Sequence, residues 1–281
     1  VRYGTEQQKE RFLKPLARGE HIGAISITES QSGSNAADIR TRAVKSEHGY
    51  VLNGAKQLVT SGSDADTVMI FACTDPDTGP RGITGFIVPK GTPGFRVGRI
   101  EEKLGIRASG TAELILENVE VPDANVLGDV GGGYRIALAS LGTSRIGISA
   151  QAVGLAQAAL DAAVAYAKER DSFGKPIIEH QAVAFRLADM AAQIEAARQS
   201  TLHAACLADA GLPHHNESSM AKLVAAEMAE RVCSDAIQTF GGAGYLADYP
   251  VERFYRDARI CQIYEGTSDI LRMVISRELM R

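Results

Sequence analysis

The 281-residue chain lacks tryptophan and has few cysteines and no excess of basic residues. Its 30 Lys and Arg are outnumbered by 34 Asp and Glu, which gives a net charge of -4 and excludes the basic patch that nucleic acid or an anionic membrane would require. The cysteines show no CxxC pair and no metal-ligand spacing, so we expect free thiols in a reducing compartment. They are Cys73, Cys206, Cys233 and Cys261. We expect no segment long and apolar enough to cross a membrane.

What is present is a hydrophobic content of 45%, enough for one large core or two modest ones. The chain opens at Val1 directly in a helical pattern, with no visible signal peptide, and we expect it to begin inside a longer protein. Residues 1–18 are expected to be the last helix of a preceding helical domain. Thr5 is a suitable N-cap, with Gln8 in the capping-box position.

Two further parts are separated by a change in periodicity. Residues 19–125 contain short β-branched or alternating runs broken by Gly and Pro, which predicts a β-barrel or sandwich domain. Residues 126–281 follow the helical period and are rich in Ala, which predicts a C-terminal four-helix bundle. The four helices are expected near 132–169, 180–210, 217–239 and 267–280.

A carboxylate lies in a polar turn near the C-terminus, Tyr264-Glu265-Gly266-Thr267. Thr267 or Ser268 can cap the helix that follows, which places Glu265 near unpaired N–H groups at its N-terminus. On this turn alone, a favourable terminal charge is the simpler interpretation.

Four other motifs are each weak when taken alone. Thr28-Glu29 with Ser32-Gly33-Ser34-Asn35 indicates a polar turn after a strand. Asn53-Gly54 predicts an ordinary β-hairpin. The segment 168–176 has the charge and the Gly-Lys-Pro stop of a helix end, and 240–245 suits a helix–helix connection.

In this order, however, the motifs resemble those of the acyl-CoA dehydrogenase family across nearly the whole chain. The shared landmarks are the Thr-Glu loop, Asn53-Gly54-Ala55-Lys56, Val121-Pro122, Arg170 to Lys175, Phe240 to Gly244, Arg256-Asp257 and Ile263 to Thr267. The resemblance implies an α+β multidomain protein whose β-domain and four-helix bundle are present, with only the tail of the N-terminal helical domain. The run Ser144-Arg145-Ile146-Gly147-Ile148 looks closest to short-chain and branched short-chain members.

The resemblance also assigns residue roles. Glu265 takes the α-proton of an acyl-CoA thioester, the flavin accepts the β-hydride, and an electron-transfer flavoprotein receives the electrons. Contacts to the FAD cofactor are implied for Ile27, Thr28, Val59, Thr60, Arg170, Ser172, Phe173, Gln238, Gly241, Gly242, Thr267 and Asp269. Contacts to the acyl-CoA substrate are implied for Ser34, Arg145 and Gly266.

The family implies a homotetramer built as a pair of dimers, with the segment at Gln238 reaching the FAD of a neighbouring subunit. It implies a place in fatty-acid β-oxidation, in the cytoplasm of a bacterium or the mitochondrial matrix of a eukaryote. One departure is Leu58, where many members have tryptophan in the hairpin.

Other candidate residues receive structural interpretations. His214-His215 is expected in a solvated turn rather than a metal site, and no histidine has a Ser or Cys partner at motif spacing. Lys222, Glu227, Glu230 and Arg231 are expected on a solvated helix face.

Three rival functions stay open at this point. They are a flavin monooxygenase of the same fold, a nitroalkane-oxidising relative, and a non-catalytic oligomeric scaffold. Glu265 and Arg145 argue against the first, and a Glu rather than an Asp at the base position argues against the second.

Overall fold

The computed structural model describes residues 1–280, which divide into two compact units. We call the first, Val1–Lys103 with Arg107–Ala139, the β unit. The second, Leu104–Ile106 with the chain from Ser140 onward, is the helical unit.

The chain begins with the predicted helix. Helix α1 (Glu6–Gln8) continues through a π-helical turn (Lys9–Leu13) into α2 (Lys14–Ala17). The capping box is confirmed: the Gln8 amide donates to Thr5 Oγ1 at 3.2 Å, and the Thr5 amide donates to Gln8 Oε1 at 3.1 Å. The buried Gln8 amide group also donates to the carbonyl oxygens of Ala124 and Val126, which ties this helix to the sheet.

The β unit contains an eight-stranded mixed sheet. Its strands are β1 Gly23–Ser26, β2 Arg42–Lys45, β3 Gly49–Thr60, β4 Thr67–Cys73, β5 Ile83–Pro89, β6 Phe95–Ile100, β7 Thr111–Pro122 and β8 Val126–Leu127. They are arranged in the order β6-β7-β3-β2-β4-β5-β8, and β1 pairs with β4 outside this path. The pairs of β4 with β1 and β2 are parallel and the others are antiparallel. Their inward side chains form the core that the β-branched runs predicted.

The prediction of a hairpin turn at Asn53-Gly54 is wrong. Both residues lie inside the long strand β3, at a register shift in its pairing with β7. The Asn53 side chain makes two hydrogen bonds with Asn118. Its Oδ1 accepts from the backbone N–H of Asn118 at 2.8 Å, and its Nδ2 donates to Asn118 Oδ1 at 3.1 Å. Gly54 has φ +149°, and a Cβ there would lie 2.6 Å from Thr41 Oγ1. The glycine therefore serves a close approach of two chain segments, not a turn.

A buried ion pair organises the loop that follows β1. Lys56 Nζ donates to Glu29 Oε1 at 2.7 Å, and the two side chains are 0% and 4% exposed. Glu29 also accepts the backbone N–H groups of Arg40 and Thr41 at 2.8 and 3.0 Å, while Lys56 donates to the Ile27 carbonyl at 3.1 Å. Burial alone would raise the pKa of Glu29, but the Lys56 charge and these hydrogen bonds outweigh it and lower the pKa to about 2.

The helical unit contains the four predicted long helices and one short one. Its elements, with α3 beginning in the β unit, are α3 Gly133–Glu169, β9 Asp171–Ser172, β10 Lys175–Pro176, α4 Gln181–Asp209, α5 His215–Phe240, α6 Val251–Ala258 and α7 Ser268–Leu279. Small residues let the helices pack closely, and the core contains Ala156, Ala159 and Ala163 of α3 beside Ala225 and Ala229 of α5.

One expectation about membranes is corrected. By length and composition alone, α3 is apolar enough to cross a bilayer. Its apolar residues have another use, because Ala152, Val153 and Leu160 belong to the packed core of the helical unit. An Ala-rich central helix of a bundle meets the same criterion as a membrane span.

We predict that Gly54→Ala destabilises the protein, because the new Cβ would overlap Thr41 in a conformation that disfavours L side chains. The loss should be about 1–3 kcal/mol, measured by urea unfolding. Gly33→Ala is the matched control, since nothing lies within 4 Å of a Cβ built there. Equal stability of the two variants would contradict this account of Gly54.

We also predict a specific acid sensitivity from the buried pair. The pKa of Glu29 is lower in the folded protein than its ordinary value of 4.5, so its stabilisation is fully present above about pH 4.5 and is lost as pH falls through about 2. The contribution is on the order of 3 kcal/mol. Urea unfolding measures the free energy of unfolding at each pH. Between pH 5 and pH 2 this free energy should fall more for the wild type than for the double variant Glu29→Gln/Lys56→Met, which has no titrating group at these two positions. An equal fall in the two proteins would refute the assignment of the acid sensitivity to Glu29.

Candidate active site

Glu265 lies in a turn between a 3₁₀ segment, Arg259–Gln262, and helix α7. Glu265 has φ +56° and Gly266 φ +96°, so two successive residues occupy the left-handed region. For a non-glycine residue this costs on the order of 1–2 kcal/mol, which the surrounding contacts must offset. The predicted cap is confirmed, because the Ile270 amide donates to Thr267 Oγ1 at 3.3 Å.

Two buried cationic side chains bind the carbonyl oxygens of this turn. Arg145 of α3 donates from Nε to the Glu265 oxygen at 3.2 Å, and Lys222 of α5 donates from Nζ to the Gly266 oxygen at 2.7 Å. Arg145 is 5% exposed and Lys222 is 0% exposed. A buried charge is costly without partners, so the turn and the two cations stabilise one another.

Arg145 also links the turn to helix α5. Its Nη1 donates to Ser219 Oγ at 3.1 Å, and that hydroxyl donates to the His215 carbonyl at 2.7 Å. Burial lowers the pKa of the Arg145 guanidinium, and the Glu265 charge acts against this shift. The Nε and Nη1 atoms of Arg145 are therefore both hydrogen-bonded inside the helical unit.

The prediction that Lys222 lies on a solvated helix face is wrong. Lys222 occupies the buried side of α5, four residues before Ala226 and seven before Ala229, both fully buried. That spacing was visible in the sequence as a lone charge on an apolar stripe. Burial lowers the pKa of the Lys222 ammonium to about 8, with Cys261 and Glu265 acting to raise it and Arg145 to lower it.

The side chain of Glu265 is oriented by the residue next to Arg145. Ser144 Oγ donates to Glu265 Oε2 at 2.5 Å, and Glu265 is half-buried. Consecutive residues of α3 thus hold the carboxylate and the carbonyl of one glutamate. On the other side, the Tyr264 hydroxyl donates to Gln151 Oε1 at 2.5 Å, which anchors the residue before the base.

The segment after α3 forms a small hairpin. From the sequence we expected a helix end in this segment and did not predict the hairpin. Strands β9 and β10 pair antiparallel around Phe173-Gly174, and both turn residues have positive φ. A phenylalanine in this position of a tight turn is unusual, which is why the sequence did not indicate it. The hairpin leaves the Phe173 ring 96% exposed, near the exposed Arg170 and the half-buried Ser172.

Two more groups of predicted FAD contacts lie at helix ends. Gln238 is in the last turn of α5, and Gly241 follows with φ +64°. A Cβ built on Gly241 or Gly242 would meet nothing within 4 Å, so their backbone is openly accessible. Thr267 and Asp269 are at the start of α7, where the Asp269 side chain is 94% exposed.

In the β unit, the structure brings the two predicted flavin segments side by side. The Gln57 amide donates to the Thr28 carbonyl at 2.9 Å, and the Lys56 ammonium donates to Ile27, so Ile27-Thr28 adjoins the strand that leads to Val59-Thr60. Thr60 is exposed and Val59 is buried. Ser34 is exposed in the loop that the hydrogen bonds of Glu29 hold in place. In the same loop, Ser32 Oγ donates to the Asn35 carbonyl at 2.6 Å.

The chemistry of these residues fits FAD. The exposed guanidinium of Arg170 suits a diphosphate, and the exposed ring of Phe173 offers a face to a planar aromatic group. The hydroxyl groups of Thr28 and Thr60 and the open backbone at Gly242 suit the polar edges of the cofactor. Among residues 1–280, no group of His, Cys, Asp and Glu could hold a metal ion, and the four cysteines are free thiols.

Comparisons with known proteins identify the family of this chain. Two family models match the chain: the acyl-CoA dehydrogenase middle domain over residues 24–119 and the acyl-CoA dehydrogenase C-terminal domain over residues 131–280. An acyl-CoA dehydrogenase of Bacillus subtilis (strain 168) is 51% identical over 278 residues, covering 99% of this chain and 73% of the relative.

Solved structures give the same result. Butyryl-CoA dehydrogenase from Megasphaera elsdenii matches with TM-score 0.98 and 48% identity over 100% of this chain and 73% of that one. A chain solved in work on the electron transferring flavoprotein of Acidaminococcus fermentans, towards a mechanism of flavin-based electron bifurcation, matches with TM-score 0.98 and 50% identity, over 99% of this chain and 73% of that one. This chain therefore belongs to the acyl-CoA dehydrogenase family and is, like its relatives, an FAD-dependent oxidoreductase.

Proposed function

We propose that this chain oxidises a short-chain acyl-CoA thioester to the trans-2-enoyl-CoA thioester, with Glu265 as the base. The observation that carries the proposal is the Glu265 carboxylate, oriented by the Ser144 hydroxyl in a turn whose carbonyl oxygens are bound by Arg145 and Lys222. A carboxylate fixed so firmly at the mouth of a helix is better suited to a single directed proton transfer than to a surface charge.

The chemistry requires more than a base, because the α-hydrogen of a thioester is a very weak acid. The enolate oxygen that develops as Glu265 removes the proton needs a fixed hydrogen-bond donor. Among residues 1–280, the backbone N–H of Glu265 has no protein acceptor. It is therefore free to donate to the thioester oxygen, while Arg145 and Lys222 keep the neighbouring carbonyl oxygens turned toward themselves.

When bound, FAD supplies the acceptor for the hydride that leaves the β-carbon, so the substrate loses one proton and one hydride, which together are two protons and two electrons. We assign the flavin end of the cofactor to Ile27, Thr28, Val59, Thr60, Thr267 and Asp269. The diphosphate and adenosine end is assigned to Arg170, Ser172 and Phe173, and Gln238, Gly241 and Gly242 are assigned to the FAD of a neighbouring subunit.

For the substrate, we assign contacts to Ser34 and Gly266. Arg145 receives a different role from the one the resemblance implies, because it is 5% exposed and binds Glu265 and Ser219. We assign it to the support of the turn. The similarity to a butyryl-CoA dehydrogenase supports the proposal of a short acyl chain.

The proposed partners are an electron-transfer flavoprotein and further copies of this chain. The electron-transfer flavoprotein is proposed because one of the similar solved structures comes from work on such a protein in Acidaminococcus fermentans. The helical unit exposes large apolar side chains, with Tyr245 86%, Phe185 60% and Leu246 52% exposed, which supports burial in an assembly. We propose a homotetramer built as a pair of dimers.

The first functional prediction concerns the base. Glu265→Gln should keep FAD but lose turnover of butyryl-CoA by at least the ~10²–10⁴-fold that is typical of a general base. Glu195→Gln, on an exposed face of α4, is the matched control and should behave as wild type. Bleaching of the flavin absorption by butyryl-CoA is the measurement. Near-normal bleaching in Glu265→Gln would reject the base, and wild-type protein without bound flavin would favour the scaffold function instead.

The second concerns the shared cofactor site. Arg170→Ala and Gln238→Ala should each be deficient in FAD, since each removes one half of a site completed by two subunits. Mixing the two variants after dissociation should restore flavin in a fraction of the sites. Subunit exchange is verified with differently tagged chains. No recovery of flavin in verified mixed oligomers would place both residues in one subunit's site.

A further inference from the structure

Lys222 is the most deeply buried charged group in the helical unit, and its individual contribution to the proposed reaction can be derived from its contacts. Lys222 is 0% exposed, and its Nζ donates a 2.7 Å hydrogen bond to the Gly266 carbonyl oxygen. Replacing a charged lysine here by an apolar residue of similar volume would spare a large desolvation cost. A role for the charge must therefore outweigh that cost.

The bond has a direct geometric consequence. Gly266 directly follows the base, and both residues have positive φ, +56° for Glu265 and +96° for Gly266. Arg145 binds the preceding carbonyl from α3. With both oxygens held, the peptide planes on the C-terminal side of Glu265 cannot rotate, and the direction of its Cα–Cβ bond is fixed.

Resting on the function proposed above, we infer that Lys222 is a positioning residue: its ammonium holds the Gly266 carbonyl and thereby fixes the turn that presents Glu265 to the substrate. It touches neither substrate nor cofactor. Its effect is on proton abstraction alone, because a misplacement of the base of about 1 Å costs on the order of 10²-fold in rate.

The test is the rate of flavin reduction by butyryl-CoA in Lys222→Met, which keeps the length of the side chain but donates no hydrogen bond. We expect FAD content like wild type, a reduction rate lowered by about 10- to 10²-fold, and little change in substrate affinity. Lys222→Gln keeps a donor and should recover part of the rate. Arg231→Met, at an exposed position of the same helix, should match wild type.

A double-mutant cycle separates positioning from general damage. In a Glu265→Gln background the base is already absent, so adding Lys222→Met should cost nothing further. A loss of the same size in both backgrounds would overturn the proposal, as would a wild-type rate in Lys222→Met. Loss of FAD from both Lys222→Met and Lys222→Gln would assign the residue to folding and overturn it as well. If wild type itself is not reduced by butyryl-CoA, the proposed function fails before Lys222 is tested.

Discussion

The geometry of the candidate site depends on the binding of two backbone carbonyl oxygens by buried cations. Glu265 and Gly266 adopt left-handed conformations that a chain avoids without compensation. Arg145 and Lys222 provide it from two different helices, and neither cation has much contact with solvent. Since each charge needs the turn as much as the turn needs the charge, removing any one of them destabilises the others.

The same arrangement has an electrostatic consequence. Two cations and one carboxylate leave an excess of positive charge beneath the turn. A low-dielectric region with fixed positive charge favours negative charge that develops nearby, which is what removal of an α-proton produces on a thioester oxygen. In the β unit, Lys56 and Glu29 bind the backbone of Ile27, Arg40 and Thr41 in a comparable way. Each unit thus uses buried charge to fix backbone that side-chain packing alone would leave mobile.

The sequence predicts a structural feature well when the residues that produce the feature are close together in the chain, and poorly when they are far apart. The caps at Thr5 and Thr267 were predictable because a hydroxyl and an amide three residues apart suffice to make them. The long helices were predictable from their period. The role of Asn53-Gly54 was not predictable, because Gly54 is required by its close approach to Thr41, thirteen residues earlier in the chain. Lys222 was missed because its acceptor lies 44 residues away, although its position on an apolar stripe gave a signal.

Backbone strain links the remaining site residues. Six non-glycine residues of the described chain have positive φ: Leu58, Ser61, Ile106, Asn118, Phe173 and Glu265. Three of them, Leu58, Phe173 and Glu265, lie in or beside segments that we assign to cofactor binding or catalysis. Leu58, at a register shift of β3, is 62% exposed, and Phe173, at a hairpin tip, is 96% exposed.

All three residues lie where regular structure is interrupted. Leu58 is at a register shift, Phe173 is in a hairpin turn, and Glu265 is between a 3₁₀ segment and α7. Such conformations persist only where their surroundings over-determine them. At Glu265 the surroundings include Ser144, which binds the carboxylate, and Arg145, which binds the carbonyl oxygen. Local sequence rules fail at Glu265 because these partners come from α3, a helix distant in the sequence.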